Sequence, residues 1–265
     1  MRKEKLNKKG NQMYKNKLQL VLNQIRNHSN VTDNVGGGTS GFKGIDENGT
    51  AFEKYIEQHM ISGGFTLIPL GSDRKGWKDL NLTTAQLKGY LSNGQHDMIT
   101  DHFKVYGKNL VFIQQSDNPP DVILYMDGVV YYMEAKKTSK NSITYGDNLP
   151  KPNYIYLLRD TKNGVQTFYF GDDIISEEDR EITYKVREDW KIALAKLNEE
   201  FTQKLPTNLW KFKTRHGFSN TIGGMETMPS LSKDREMREE QVLNYIDTGI
   251  KNEELSEEGI LRFCK

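Results

Sequence analysis

The sequence predicts a mixed α/β fold in which a central mixed β-sheet is flanked by helices. Residues 104–170 are dense in β-branched and aromatic residues, and turn sequences divide them into short runs, which is typical of neighbouring strands. The segments before and after this region place apolar residues at helical spacing. A strand-rich middle between helical segments favours a sheet with helices packed on it.

The first part of the chain predicts helices separated by a glycine-rich segment. Residues 14–26 form an amphipathic helical pattern, whereas residues 28–50 are rich in Gly, Ser, Thr, Asn and Asp, which is typical of a loop or hinge. Thr50 is a suitable N-cap for the next helix, and Glu53 is its capping-box partner. In order, we predict a helix at 50–60, a strand at 65–70, a charged loop at 71–80 and a helix from Thr83 or Thr84.

The middle of the chain contains the clearest hairpin signal. The runs VILYM (122–126) and VVYYMEA (129–135) are joined by Asp127-Gly128, and an Asp-Gly pair in this setting favours a tight two-residue turn. Around this hairpin we predict a strand or hairpin at 104–115, a turn-rich loop at 142–152, and strands at 154–158 and 165–170.

The C-terminal part of the chain returns to a helical pattern. We predict one or two helices from Glu177 to near Pro206, then a loop-rich basic and aromatic stretch, then an amphipathic helix at 235–246. Either the first helix of the chain or the helix after Glu177 is a candidate dimer surface.

Composition limits the class of protein. The net charge of +1 hides a basic start and an acidic tail, so it does not exclude a nucleic-acid partner, for which the local charge of one face matters. The single cysteine, Cys264, excludes an intrachain disulfide and a thiolate metal site. No run of eighteen apolar residues and no apolar signal segment occurs, so we expect a cytoplasmic protein without a membrane span.

Two acidic residues and a lysine are brought together by the predicted hairpin. Glu134 and Lys136 are two residues apart on the second strand, so both side chains point to one face of the sheet. Asp121 opens the first strand, directly after Pro120, at a distance from the turn similar to that of Glu134. The two carboxylates therefore face each other, provided that the register does not slip by one residue.

Adjacent carboxylates of this kind repel each other unless a cation lies between them. Mg²⁺ is suited to this position because it accepts one or two carboxylates together with water and phosphate oxygens. Lys136 is then placed to orient or deprotonate a water molecule, or to stabilise charge on a phosphate. The sequence thus predicts Mg²⁺ as cofactor and phosphodiester hydrolysis as the chemistry.

The segment Pro120-Asp121, a spacer and Glu134-Ala135-Lys136 resembles the PD-(D/E)xK signature of metal-dependent nucleases, and in particular type II restriction endonucleases. The resemblance implies a restriction-endonuclease-like core, with Asp121 and Glu134 as metal ligands, the carbonyl of Ala135 as a further ligand, and Lys136 assisting the water. It covers about 45–170.

A second correspondence is GTAFE, residues 49–53, which is similar to a GxxFE-like segment that supplies a supporting glutamate in these enzymes. It implies a catalytic role for Glu53, with Glu57 as the competing candidate and a capping carboxylate as the alternative. The loop before residue 154 resembles loops that approach DNA, and Asn148 is suited to pair with adenine there. A turn that only connects two strands is the alternative.

Further candidates for DNA contact lie beyond the motif. Basic residues alternate with aromatic ones in WKFKTRHGF, a pattern that suits phosphate contacts and packing against sugar or base. A surface strand with one apolar face is the alternative. The proposed DNA-contacting residues outside the loop are Lys137, Lys140, Lys211, Lys213, Arg215 and Asn220, with a smaller basic loop at Arg74, Lys75, Trp77 and Lys78.

These expectations combine into one hypothesis. We expect a single nuclease domain over 1–265, with a helix and hinge in 1–40, the catalytic core in 45–170 and a helical, DNA-contacting part in 171–265. It would cut double-stranded DNA at a short sequence as a homodimer, without a nucleotide cofactor. The alternatives are a non-specific or repair nuclease on the same core and a DNA-binding protein whose charged cluster is structural. An acid/base glycosidase or protease is disfavoured, because Lys136 would keep both carboxylates ionised.

Overall fold

The computed structural model describes residues 16–27, 51–69, 75–106, 110–113, 120–140, 142–146, 149–204, 218–220 and 228–249. The helices are α1 (Lys17–Asn27), α2 (Ala51–Ser62), α3 (Thr84–Ser92), α4 (His96–Lys104), α5 (Glu177–Lys204) and α6 (Arg235–Thr248), with a 3-10 turn at Gly171–Asp173. The strands are β1 (Thr66–Leu67), β2 (Gly76–Trp77), β3 (Leu82–Thr83), β4 (Leu110–Ile113), β5 (Val122–Met126), β6 (Val129–Thr138), β7 (Ile143–Gly146), β8 (Tyr154–Asp160), β9 (Val165–Phe170) and β10 (Phe218–Asn220).

The main sheet has six strands in the order β1-β4-β5-β6-β8-β9. The pairs β4–β5, β5–β6 and β8–β9 are antiparallel, whereas β1–β4 and β6–β8 are parallel. Two small ribbons accompany it, β2 with β3 and β7 with β10. The structure therefore confirms the predicted mixed α/β class.

Helices cover both faces of this sheet, because its strands alternate between two apolar clusters. Val122, Leu124 and Met126 of β5 join the cluster that contains α1, α2 and α6. Ile123 and Tyr125 point to the other face and pack with α3 and α4. Strands that are apolar on both faces fit a buried central sheet, which explains the unbroken apolar run that predicted β5.

The ends of the described chain meet on one side of the sheet. The carboxylate of Glu239 on α6 is buried, and it accepts hydrogen bonds from Arg26 of α1 at 3.0 Å and from Thr167 of β9 at 2.7 Å. Gln19 Nε2 on α1 also donates to the carbonyl of Leu243 at 2.8 Å. The apolar face of α1 therefore belongs to the core, and of the two candidate helices for a dimer surface this one has its apolar face already covered.

The predicted hairpin is confirmed. Met126 pairs with Val129, and the turn between them places Asp127 at φ 51° and Gly128 at φ 92°. Positive φ at both turn residues matches the right-handed twist of the flanking strands, and aspartate followed by glycine tolerates it at low cost. The register that follows is the one assumed for the carboxylate pair.

Some predicted elements differ from the structure. The helix α4 was not predicted, because its buried apolar residues are only Ile99 and Phe103, which is too sparse a pattern to recognise. The strand predicted at 65–70 is reduced to two residues, and the predicted loop at 142–152 contains β7, which forms by pairing with the distant β10. The segment from Glu177 is one helix. The predicted hinge at 28–50, the N-cap Thr50 and Pro206 lie outside the described residues.

Candidate active site

The hairpin brings Asp121 to the second strand at the position that its sequence spacing predicts. Val122 pairs with Met133, and the same antiparallel register places Asp121 opposite Glu134 of β6. The carboxylate of Asp121 accepts a hydrogen bond from the backbone N–H of Ala135 at 2.7 Å. Through this bond, the backbone of β6 holds the Asp121 carboxylate next to Glu134.

Glu134 and Lys136 lie side by side on one face of β6. The Nζ of Lys136 donates to Oε1 of Glu134 at 2.6 Å, and the two side chains are only 16% and 8% exposed. The other carboxylate oxygen of Glu134, Oε2, is buried and has no hydrogen-bond partner among the described residues. A buried carboxylate oxygen without a donor is costly, so this atom is suited to accept a further positive group.

The electrostatics of the hairpin centre on Asp121. The pKa of Asp121 is raised from 3.8 to about 7, and burial is the largest cause. The negative charge of Glu134 is the second largest cause of this rise. The charge of Lys136 and the hydrogen bond from Ala135 lower the pKa by smaller amounts. Asp121 thus ionises with difficulty in this setting, as expected for two carboxylates that share a site without a cation.

One of the two glutamates of α2 acts on the charge of the hairpin. The charge of Glu53 contributes to the rise of the pKa of Asp121. The helix itself is fixed by Phe52, Ile56 and Met60, which pack into the apolar cluster beneath the sheet. Glu53 therefore interacts electrostatically with the hairpin.

These groups fit a hard divalent cation that takes part of its coordination from outside the protein. In the described part of the chain, no group of three or more His, Cys, Asp and Glu side chains is arranged to hold a metal by itself. Mg²⁺ does not need such a group, because it commonly keeps waters and binds substrate phosphates beside one or two carboxylates. The buried, donor-free Oε2 of Glu134 and the raised pKa of Asp121 both point to this pair as the place for positive charge.

Lys151 is a basic residue at this site that the sequence did not predict. It is partly buried with its Nζ 5.0 Å from the centre of the Tyr154 ring. Burial lowers the pKa of Lys151, and the charge of Glu134 partly offsets this effect. The backbone N–H of Lys151 donates to the hydroxyl of Tyr156 at 2.9 Å, and Tyr156 pairs with Glu134 in the parallel β6–β8 ladder. Sequence spacing alone carries no signal for that neighbour.

The proposed DNA-contacting residues fall into separate groups. Lys137 and Lys140 are exposed beyond Lys136 on the same strand and the turn that follows. Asn220 ends β10, where its backbone lies opposite Ile143 of β7, the strand that follows that turn. The pairing therefore brings the C-terminal segment alongside the segment that leaves the candidate site. Asn148, Lys211, Lys213 and Arg215 lie outside the described residues.

The smaller basic loop requires one correction. Trp77 is 1% exposed and packs in the apolar cluster with Leu80 and Leu82, so the prediction that it contributes to a DNA-contacting loop is wrong. Its strand β2 pairs with β3, which turns the ring inward. Lys75 and Lys78 remain at the surface beside it, and Arg74 lies outside the described residues.

Comparison with known proteins adds no assignment to this geometry. No family model, no curated protein and no solved structure matches the chain. Among the described residues, no helix has the length and apolar character to cross a membrane.

Proposed function

We propose that this protein is a Mg²⁺-dependent type II restriction endonuclease that hydrolyses double-stranded DNA at a short sequence, on a restriction-endonuclease-like core. The observation that carries the proposal is the hairpin cluster of Asp121, Glu134 and Lys136, in which the Asp121 carboxylate is bound to the N–H of Ala135 and Lys136 is bound to Glu134. The proposed specificity for a short sequence rests on the resemblance of this motif to restriction enzymes.

Each residue of the cluster has a distinct proposed role. Asp121, Glu134 and the carbonyl of Ala135 would hold Mg²⁺, which would supply a polarised water and offset charge on the scissile phosphate. Lys136 would orient the attacking water and stabilise the added negative charge of the transition state. Glu53 supports the site through its charge on Asp121, and Lys151 provides a second cation for the phosphate backbone.

The surroundings of the cluster support a nucleic-acid substrate. Lys137 and Lys140 continue the positive charge beyond Lys136, and exposed lysines are suited to phosphate contacts. The β7–β10 ribbon leaves the same region and carries Asn220 in its second strand. We propose that loops next to this ribbon read base edges, and that two copies of the chain act on the two DNA strands.

Digestion of phage DNA tests this function. The full chain is incubated with DNA in Mg²⁺, with an excess of chelator as the matched control. Discrete fragments that depend on Mg²⁺ are expected, because a specific enzyme cuts only at its sequence. A continuous smear would instead indicate a non-specific nuclease on the same core. DNA left intact in both Mg²⁺ and Mn²⁺ would refute the enzymatic assignment.

One observation favours a second candidate, a non-catalytic DNA-binding protein. The short ion pair between Lys136 and Glu134 is the arrangement expected of a structural charged pair as well. Alanine at Glu134 separates the two functions. Loss of cleavage with retained DNA binding and a retained fold indicates a catalytic site. Loss of the fold in a protein that never cleaved DNA indicates a structural pair.

A further inference from the structure

The long helix α5 carries an exposed apolar stripe. In the described part of the chain, the stripe residues Ile182, Val186, Trp190 and Leu197 are between 41% and 62% exposed, and the only fully buried residue of α5 is Arg180. Ile192 is also exposed, but it lies on another face of the helix. Exposed apolar residues that gather on one element, rather than being scattered singly, mark an interaction surface. The apolar face of α1 packs in the core, so of the two helices predicted as dimer surfaces α5 is the one whose stripe is exposed.

The spacing of the stripe is symmetrical about its own centre. Its members are separated by steps of three and four residues, so they share one face of the helix. From start to end the stripe consists of Ile182, Val186, Trp190, Ala193, Leu197 and Phe201. The steps read the same in both directions, and the stripe is about 29 Å long at about 1.5 Å per residue. A second copy of the helix running in the opposite direction therefore presents the same pattern in register.

Charges along one edge of the stripe show the same symmetry with alternating sign. Lys185, Asp189, Lys196 and Glu200 lie on this edge, and all four are exposed. When two copies of a helix pack antiparallel about a two-fold axis, this edge of one copy lies against the same edge of the other. Lys185 then faces Glu200 of the second copy, and Asp189 faces Lys196. In a parallel pair, the charged edge of one helix would lie against the opposite edge of the second helix, so these charge pairs would not form.

From these observations we infer that α5 binds α5 of a second copy of this chain, antiparallel, with the Ile182–Phe201 stripe at the centre of the interface. The apolar stripe supplies the buried area and the charged edge sets the direction of the helices. The pairing does not depend on the proposed function, because it uses no residue of the candidate active site.

The pairing has a geometric consequence for that site. Arg180, near the start of α5, donates through Nε to the carbonyl of Pro150 at 3.2 Å. Pro150 directly precedes Lys151, whose backbone N–H donates to the hydroxyl of Tyr156 at 2.9 Å, and Tyr156 pairs with Glu134. The helix start is thus fixed to the edge of the candidate site, so two chains that pair through α5 hold their two sites at a defined separation.

Sedimentation of the full chain tests the apolar stripe. The wild-type protein is expected as a dimer of twice 30.6 kDa. Val186→Asp or Leu197→Asp places a charge in the interface and weakens association by at least about tenfold. Ile192→Asp is the matched control, because Ile192 is equally exposed on the same helix but lies off the stripe. It leaves the dimer unchanged.

A charge exchange tests the antiparallel direction in variants that keep the apolar stripe intact. Asp189→Lys and Lys196→Asp each place like charges together and weaken association, and the double variant restores it. A wild-type monomer, a dimer that survives Val186→Asp, equal dissociation of the Ile192 control, or a double variant weaker than both singles would each overturn the proposal. Circular dichroism of every variant verifies that the helical content is retained.

Discussion

The carboxylate of Asp121 is held by the backbone N–H of Ala135 at 2.7 Å, across the open end of the hairpin. A side chain of one strand is thereby fixed by the backbone of the other, directly after Glu134. The separation of the two acids is consequently set by strand register, which the Asp127-Gly128 turn determines.

Asp121→Asn is expected to stabilise the metal-free protein at high pH. The folded-state pKa of Asp121 is raised from 3.8 to about 7, so the folded protein holds a proton there that the unfolded chain releases. Stability from this group is full below pH 3.8 and is lost as pH rises through about 7. Urea unfolding in the presence of chelator measures the free energy of unfolding at pH 5 and at pH 8. The decrease between these two pH values should be smaller for Asp121→Asn than for the wild-type protein. Parallel pH profiles for the two proteins would contradict the assignment.

The same variant separates stability from metal binding. Mg²⁺ at pH 8 should raise the unfolding midpoint of the wild-type protein, because a ligand that binds only the folded state stabilises it. Asp121→Asn should show little of this increase, since the neutral amide does not offset the charge of the ion. An equal increase in both proteins would place the ion elsewhere.

Lys136→Met should lower the free energy of unfolding by about 1–3 kcal/mol, because it leaves the buried carboxylate of Glu134 without its cation. Adding Glu134→Gln should recover part of this loss, since the residual buried charge is removed. A double-mutant cycle by chemical denaturation measures the coupling between the two side chains. Strictly additive effects would show that the ion pair is not formed in solution.

Lys151→Met should reduce DNA cleavage by about 10- to 100-fold while changing thermal stability little, because it removes a cation whose charge interacts with Glu134. Lys88→Met is the control, as Lys88 is an exposed lysine on α3. Cleavage rates at saturating DNA measure the effect. A loss of the same size in both variants would indicate a general decrease in positive charge rather than a contact at the site.

Gly128→Ala should destabilise the fold by about 1–2 kcal/mol through backbone strain, because the residue has φ 92° and a methyl group there would meet open space. Gly89→Ala is the matched control, since its added methyl group also meets open space, but within helix α3. It should stabilise the protein by up to about 1 kcal/mol. Denaturant titration of both variants compares them. A neutral Gly128→Ala would show that the turn does not define the register.

The sequence predicted the elements whose signals are local. The hairpin followed from Asp127-Gly128 between two apolar runs, and α3 followed from Thr83, whose side chain accepts from the N–H of Gln86 in a capping box. The carboxylate pair followed directly from that hairpin, because its geometry needs only the turn and the side-chain alternation of strands.

Features that depend on distant partners were missed. The strand β7 exists because β10, more than seventy residues later, pairs with it. The charge of Glu134 acts on Lys151 because β8 lies parallel to β6, a pairing that no local pattern specifies. The charged neighbours of Trp77 in the sequence predict a surface loop. In the structure its ring is buried in the apolar cluster that contains Leu80 and Leu82. Tertiary packing decided each of these positions.

The most direct test of the central claim is sequencing of DNA ends after digestion of a DNA of known sequence with Mg²⁺, using the wild-type protein and Glu134→Gln in parallel. Every wild-type cut is expected at one short sequence, and Glu134→Gln is expected to yield no ends above background. Equal cleavage by both proteins, or no cleavage by the wild-type protein, would contradict it.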